Sequence, residues 1–444
     1  VLRINSSAIP MEKIVIIADD LTGAADTGVQ FCPFFDRTIL VSYRQFLRSE
    51  GGDSLLFSGA AAVYTNSRAL GTGSARQRTV SVARSLTQIR SLWVYKKVDS
   101  CLRGNPGAET EALMDELGYS LSFIAPAFPV MGRTTEHGIH RVHGVPLHAT
   151  ELSKDPVAPV SESVVSRLVA AQCHYPVDHI DVCFLEEDEE TLRAEIRRRA
   201  RLGARHLVFD AVTDTHLDRI ARLALTMDSR VLPVGSAGLA AGLGRCLTSG
   251  PKNRPRPPGK CGKGSILMVC GSTSRVTRLQ VDTLTGTCPY TELRLDLGDL
   301  TGRDQDAWRL AKIHTARRIL SGGHLVITVR GSADEGEQTD TPGGRRDAES
   351  IVKALGHLVA EIVTAITPGL LFLTGGDTAD AVLTAAGVER INIRGEIIPG
   401  VAEGASSGGA LEGVTVVTKA GAFGQKDTLV RLHEIWMKDT RKPS

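Results

Sequence analysis

Residues 14–28 read IVIIADDLTGAADTG. An apolar run closes on two adjacent aspartates, Asp19 and Asp20, and the chain continues through glycines and alanines in a helical pattern. A short apolar run bounded by polar residues reads as a buried strand. Strand, turn and helix in that order open a βαβ unit and hence a parallel sheet. Neighbouring carboxylates repel, and burying either is costly unless it is paired or hydrogen-bonded. Two of them at the end of a buried strand point to a functional edge, although capping of the helix would account for one.

The same alternation continues outward. TILVSY (38–43), AAVYTN (61–66), LWVYKKV (92–98), LSFIAPA (121–127), HLVFDAV (206–212) and RVLPVG (230–235) read as strands, with GAADTGVQF, ARQRTVSVARSL and GAETEALMDEL as helices. The basic, Pro/Gly-rich stretch at 249–264 breaks the pattern and reads as a linker. The alternation restarts with ILMVCG (266–271), HLVITVRG (324–331), LLFLTGG (370–376) and VTVVTKAG (414–421), with a long helix at 347–366. The polar stretch 332–347 reads as a surface loop, and residues 1–10, ahead of Met11, as a poorly ordered extension or added residues. The expected fold is α/β with two domains, 11–248 and 265–440. Each is a mainly parallel sheet flanked by helices, with the active site in the interdomain cleft. A chain of 444 residues fits two cores better than one.

Composition narrows the function classes. The 52 basic and 50 acidic residues leave a formal charge of +2, and no nucleic-acid-binding motif occurs, so no nucleic-acid partner is expected. No apolar run approaches the roughly 18 residues of a membrane span, and the opening has no signal-peptide core. Eight cysteines without a CxxC pair read as reduced thiols of a cytoplasmic protein.

Ligands of open parallel sheets bind outside the carboxyl ends of the strands. In the first half, those ends carry Asp19 and Asp20; Asn66, Ser67 and Arg68; Lys96, Lys97, Asp99 and Ser100, with Arg103 just beyond; and Arg133, Thr134 and Thr135. Arg68, Lys97 and Arg103 suit a carboxylate. Asp20, Asn66 and Asp99 suit hydroxyls. The set fits a small polyhydroxylated acid, the alternative being ordinary ion pairs between loop residues. In the second half the strand ends carry glycines: VCGSTSRVTRLQ (269–280), LFLTGGDTADAVL (371–383) and TKAGAFGQKDTLVRL (418–432). Glycines beside helix N-termini expose backbone N–H groups to phosphate. None matches GxxxxGK[ST], and no GxGxxG opens the first half, which disfavours a Walker loop and a dinucleotide enzyme. Asp377 or Thr378 would suit Mg²⁺ directly or through water. His137, His140, His143 and His148 read as incidental loop histidines, GSAGLAAGLG (235–244) as tight helix packing, and no residues are singled out as a protein metal site.

Taken in order, ADDLTGAADTG, TNSRA, KKVDSCLRGNPGAE, APAFPVMGRTT, GVPLHATELSKDP, GSAGL, GSTSRVTRLQ, TGGDTADAV and VVTKAGAFG resemble the four-carbon acid sugar kinases, the threonate and erythronate kinase group. The resemblance runs from about Met11 over nearly the whole chain. It implies a sugar-acid-binding N-terminal domain, an ATP-binding C-terminal domain and Mg²⁺-assisted phosphorylation of a terminal hydroxyl of D-threonate or D-erythronate, giving the 4-phosphate. The alternative substrate is a 3-oxo-tetronate. It also implies sugar-acid contacts at Asp20, Arg68, Lys97, Val98, Asp99 and Ser100. The implied ATP contacts are Ser272 or Ser274, then Gly375, Gly376, Asp377, Thr378 and Gly421. Asp20 is preferred to Asp99 as the base; Lys97 and Arg103 serve either the transferred phosphoryl group or the carboxylate. Cys101 and Ala422 stand where the family pattern has threonine and glycine. A non-catalytic sugar-acid sensor and an NAD-dependent dehydrogenase are the rival readings. A homodimer is compatible with the sequence.

Overall fold

A computed structural model describes residues 11–49, 59–89, 91–155, 158–247, 264–272, 274–301, 305–330, 344–421 and 423–440. The expected extension at 1–10, the linker apart from Gly264, the loop up to residue 343 and the Ala422 replacement lie outside these residues. The chain divides into two compact units, Val1–Arg254 and Pro255–Ser444.

In the first unit the elements run β1 (Lys13–Ala18), α1 (Leu21–Val29), β2 (Thr38–Ser42), α2 (Tyr43–Arg48), β3 (Gly59–Tyr64), α3 (Thr72–Leu86), β4 (Leu92–Lys97), α4 (Pro106–Leu117) and β5 (Leu121–Ala125). There follow β6 (Arg133–Glu136), β7 (Ile139–Val142), β8 (Val145–Pro146), α5 (Val165–Ala170), β9 (Val177–Ile180), α6 (Val182–Glu186) and α7 (Glu189–Arg201). β10 (His206–Phe209), α8 (Asp214–Thr226), β11 (Val231–Gly235) and α9 (Ala237–Cys246) complete it. The main sheet has the order β2-β3-β1-β4-β11-β5-β10-β9, and its pairings are parallel. Val15, Ile17, Val63 and Val94 pack with α3, α4 and α5 residues such as Val82, Leu113 and Val169. Ile14 and Ile16 point to the opposite face and are equally buried. Each such side chain contributes about 1.5–3 kcal/mol on burial, which is why these strands read as continuous apolar runs.

The chain leaves β1 toward β2 on one side, whereas β4 leads toward β5 on the other. β1 and β4 are neighbours in register, so the topological switch point falls between Ala18 and Lys97, where such sheets bind ligands. Alternation along β4 then parts its two lysines. Lys96 shares the α4 face with Val94, and Lys97 faces α1.

Three elements of this unit depart from the sequence reading. The histidine-rich stretch is a small antiparallel sheet, β6-β7-β8, rather than a loop. Its two-residue turns are His137-Gly138 and His143-Gly144, with φ of 50° and 75°, then 48° and 81°. Positive φ at both central residues is the geometry of a tight hairpin turn. Thr134 and Thr135 therefore lie in a strand of this second sheet, and Thr135 is turned to His140 at 2.9 Å. The third departure is the short edge strand β9.

The second unit contains β12 (Ile266–Cys270), α10 (Arg275–Thr287), β13 (Tyr290–Asp296), α11 (Leu297–Thr301), α12 (Gln305–Leu320), β14 (His324–Arg330), α13 (Gly344–Ala365) and β15 (Leu370–Thr374). α14 (Gly376–Ala385), β16 (Arg390–Ile398), β17 (Val401–Ser407), β18 (Thr415–Lys419) and α15 (Thr428–Thr440) follow. Its strands lie in the order β13-β14-β12-β15-β18-β17-β16. The first five are parallel, and β17 and β16 join antiparallel, so the sheet is mainly parallel. α13 begins at Gly344, so the last residues of the expected surface loop are helical. Met268, Phe372, Val417 and Trp436 centre its core.

Candidate functional site

The first unit gathers its charges at the switch point. Arg68, just after β3, reaches across to the end of β1 and holds both aspartates. Its Nε and Nη2 donate to Asp19 at 2.6 and 3.0 Å, and its Nη1 and Nη2 donate to Asp20 at 3.0 and 2.8 Å. The like charges at the strand end are thus bridged by one guanidinium. Burial would raise the Asp19 carboxyl, but Arg68, with Lys96 and Lys97 behind it, holds it below the ordinary carboxylate value. Asp20 also caps α1, accepting from Gly23 N at 2.9 Å and from Thr22 Oγ1 at 2.7 Å.

A second fork sits after β4. Arg103 donates to Asp99 through Nε at 2.8 Å and Nη2 at 3.2 Å, and through Nη1 to Asp155 at 3.2 Å. Burial would lift the Asp99 carboxyl; Arg103 and then Arg68 outweigh it and keep the group ionised. Both arginines, expected to hold a ligand carboxylate, already lie against aspartates: Arg68 against Asp19, Asp20 and, at 3.7 Å, Asp99, and Arg103 against Asp99 and Asp155. Lys97 is different. It is buried and faces α1, and its ammonium makes no hydrogen bond or close ion pair among the described residues, though its charge acts on Asp19 and Asp99. A Cβ on Gly23 would stand 2.5 Å from Asp20 Oδ1 and 2.8 Å from Lys97 Nζ, so only glycine leaves this ammonium its place.

Beneath this layer lies one the sequence reading missed. Lys96 Nζ is 2.6 Å from Glu109 of α4, both fully buried, and Ser67 Oγ donates to the same carboxylate at 2.6 Å. Lys96 also donates to Lys97 O at 2.9 Å. This buried pair ties β4 and the loop after β3 to α4. His140, read as incidental, instead props the loop after β4: its Nε2 is 2.7 Å from Ser100 O, and burial lowers its pKa to about 4. Ser100 and Val98 are buried in that loop, where Val98 N donates to Gly235 O at 2.9 Å. Cys101 is buried as well, and burial raises its thiol.

In the second unit the three glycine-bearing strand ends belong to neighbours, β12, β15 and β18. Gly375 is the N-cap of α14 with φ 96°, and no side chain caps the helix. The first-turn amides at Gly376, Asp377 and Thr378 thus face outward at the positive end of the helix dipole. A side chain on Gly421 would collide with Ser272 Oγ, which brings the β12 and β18 turns together. Ser274 caps α10, accepting from Thr277 N at 3.2 Å, and Thr277 Oγ1 donates to Gly421 O at 2.9 Å. The expected nucleotide residues Ser272, Ser274, Gly375–Thr378 and Gly421 therefore line one lip. Lys419, unforeseen from the sequence, lies under it. Its buried ammonium donates to the carbonyls of Ala420, Gly421 and Phe423 at 2.8, 3.3 and 3.0 Å, and burial lowers its pKa to about 8. Phe423 N in turn donates to Ala420 O at 3.1 Å, so the ammonium and the turn together fix the shape of the loop.

One unit with a charged switch point and another with bare amides at adjacent strand ends define a sugar-acid phosphotransferase, and the comparisons agree. Residues 14–243 match the family described as a sugar-binding N-terminal domain, and residues 267–429 match a nucleotide-binding C-terminal domain. The D-threonate kinase of Salmonella typhimurium is 32% identical over 94% of this chain and 96% of its own length. The D-erythronate kinase of Heliobacterium modesticaldum is 29% identical over 94% and 95%. The crystal structure of a Salmonella typhimurium LT2 protein superposes with a TM-score of 0.75 at 24% identity, covering 95% of this chain and 98% of that one. The chain belongs to the four-carbon acid sugar kinases. Among the described residues, no helix is long and apolar enough to cross a membrane.

Proposed function

We propose that this chain transfers the γ-phosphoryl group of ATP to a terminal hydroxyl of D-threonate or D-erythronate, giving the 4-phosphate. Residues 11–248 bind the acid, residues 265–440 bind ATP, and 249–264 join them. The observation that carries the reading is Lys97, a buried cation whose ammonium makes no close ion pair among the described residues, set beside a cluster of aspartates already gripped by arginine. It is the group left to take the acid's carboxylate, while Asp20, Asp99 and Ser100 offer acceptors to its hydroxyls. Asp20 is the base: Arg68 and the α1 N-terminus fix its orientation for accepting the proton of the attacking hydroxyl. Arg68 and Arg103 fix the aspartates in place, and positioning supplies much of the catalysis in phosphoryl transfer.

The nucleotide phosphates lie on the amides of Gly376–Thr378 and the turn at Gly421, with Ser272 and Ser274 at the rim. Asp377, an exposed carboxylate in the first turn of α14, fits Mg²⁺, which prefers hard oxygen ligands and keeps several waters. The ion would neutralise phosphate charge. Cysteines that form no disulfide among the described residues support a cytoplasmic location.

The test is ADP release on adding D-threonate, D-erythronate or a 3-oxo-tetronate in turn, with phosphorus NMR of the product. ADP formed only with the first two, and a 4-phosphate product, is expected. Preference for the oxidised acid would reassign the substrate, and no ADP with any of them would leave a sensor. Asp20→Asn is expected to lower turnover at least about 100-fold while sparing ATP affinity; retained turnover would remove Asp20 as base.

A further inference from the structure

Far along the sequence from the strand-end residues, three unlike side chains of the first unit converge. They are Glu111 of α4, Cys173 just after α5, and His206 of β10, and their donor atoms all lie within 4.8 Å of one another. His206 is fully buried. Its Nδ1 lies 2.8 Å from Ser122 Oγ, and its Nε2 has no hydrogen-bond partner. Burial lowers the ring's pKa to about 4, so the imidazole is neutral. With Nδ1–H donated to Ser122, Nε2 presents a bare lone pair. Leaving such a group buried and unpaired is unfavourable, and a metal ion would recover the loss.

The other two groups are oriented for the same purpose. Glu111 accepts His174 N and Tyr175 N on Oε2 at 2.6 and 3.0 Å, and His174 Nδ1 on Oε1 at 2.8 Å. Second contacts of this kind hold a ligating carboxylate in orientation. Cys173 is half-buried and lies 3.2 Å from Val169 O in its own helical turn. Imidazole, thiolate and carboxylate together suit zinc, and the sulfur and nitrogen argue against Mg²⁺ or Ca²⁺. Ligand atoms on tetrahedral zinc stand about 3.3–3.8 Å apart, so the present spacing closes with a movement of about 1 Å.

We propose that Glu111, Cys173 and His206 form a structural Zn²⁺ site that pins α4, the segment after α5 and β10 to one another. A water takes the fourth position. Binding replaces the thiol proton: the Sγ–H bond breaks, the Zn–Sγ bond forms, and one H⁺ is released.

The full-length protein is stripped with chelator, titrated calorimetrically with ZnCl₂, and loaded separately with Co²⁺. Expected are one equivalent bound, proton release that scales with buffer ionisation enthalpy, and a thiolate-to-cobalt charge-transfer band. Cys173→Ser should abolish that band and weaken Zn²⁺ about 100-fold, with kinase turnover unchanged as proof of folding; His206→Asn should weaken it similarly. A His137→Asn variant controls for the separate grouping of His137, Asp181 and Asp210, and should bind Zn²⁺ as the wild type does. Equal Zn²⁺ affinity in wild type and Cys173→Ser, absence of the thiolate band, or loss of binding only in His137→Asn would each overturn the site.

Discussion

Replacing Arg68 by methionine removes the guanidinium shared by Asp19 and Asp20 while keeping an unbranched apolar stem. Four charge-assisted hydrogen bonds disappear together. Breaking a buried ion pair from one side costs about 3–5 kcal/mol, because the remaining charge stays buried and unpaired. Arg68 is partly exposed at 17%, and Asp20 keeps Thr22 Oγ1 and Gly23 N, so the low end, about 3 kcal/mol, is expected at neutral pH. The pH dependence carries the sharper test. In the wild type, Asp19 and Asp99 titrate below their unfolded values, so their contribution is present at neutral pH and is lost as pH falls through the lowered folded values. In Arg68→Met, burial of Asp19 is less opposed and its folded pKa moves upward. Its penalty is then greatest at neutral pH and eases as pH falls and the group takes up a proton. The stability gap between variant and wild type should therefore narrow from about pH 8 to about pH 5. Urea unfolding read by Trp93, in β4 of the same unit, measures it. A gap that stays constant with pH would mean that Arg68 matters through packing, and the charge account would fall.

Lys97→Met should raise the KM for the sugar acid about ten- to hundredfold, the loss of one charge-assisted bond, with the KM for ATP unchanged; steady-state kinetics in both substrates decides. Gly375→Ala forces a side chain onto φ 96° at the uncapped start of α14. A non-hydrolysable ATP analogue should bind about tenfold more weakly by calorimetry, with the urea transition reported by Trp93 unmoved. Lys419 titrates near 8 when folded, below its unfolded value. Between about 8 and about 10 the unfolded chain binds more protons, so the second unit gains stability as pH rises through that window. Lys419→Met should abolish the rise in urea unfolding followed at Trp436.

Parallel strands buried on both faces announce themselves as apolar runs, which made β1, β3, β4, β12 and β15 legible from sequence. The strand-end rule then located Asp20, Arg68 and Lys97 on neighbouring strands. What stayed hidden depended on pairing in space. No spacing tells that Arg68 closes on Asp19 and Asp20 rather than on a ligand, since that follows from β3 lying beside β1. Glu109 looks like any first-turn acid until Lys96 is seen beneath it. The hairpins of the small sheet carried a readable signal, two His-Gly pairs in the role usually given to Asn-Gly, which a reading of the stretch as a loop with incidental histidines passes over. β16 and β17 mix small, charged and Gly residues across irregular register, which erases the two-residue period.

Gly23 leaves a vacancy the size of one methyl group, and that vacancy seats the lysine ammonium. A designer wanting an enzyme for uncharged polyols has a starting point there, provided that Asp20 is re-seated with it: alanine at 23 would evict the cation and remove the reason to prefer acids, but its Cβ would also stand 2.5 Å from Asp20 Oδ1. Selectivity in this fold would then reside in a side chain the protein does without.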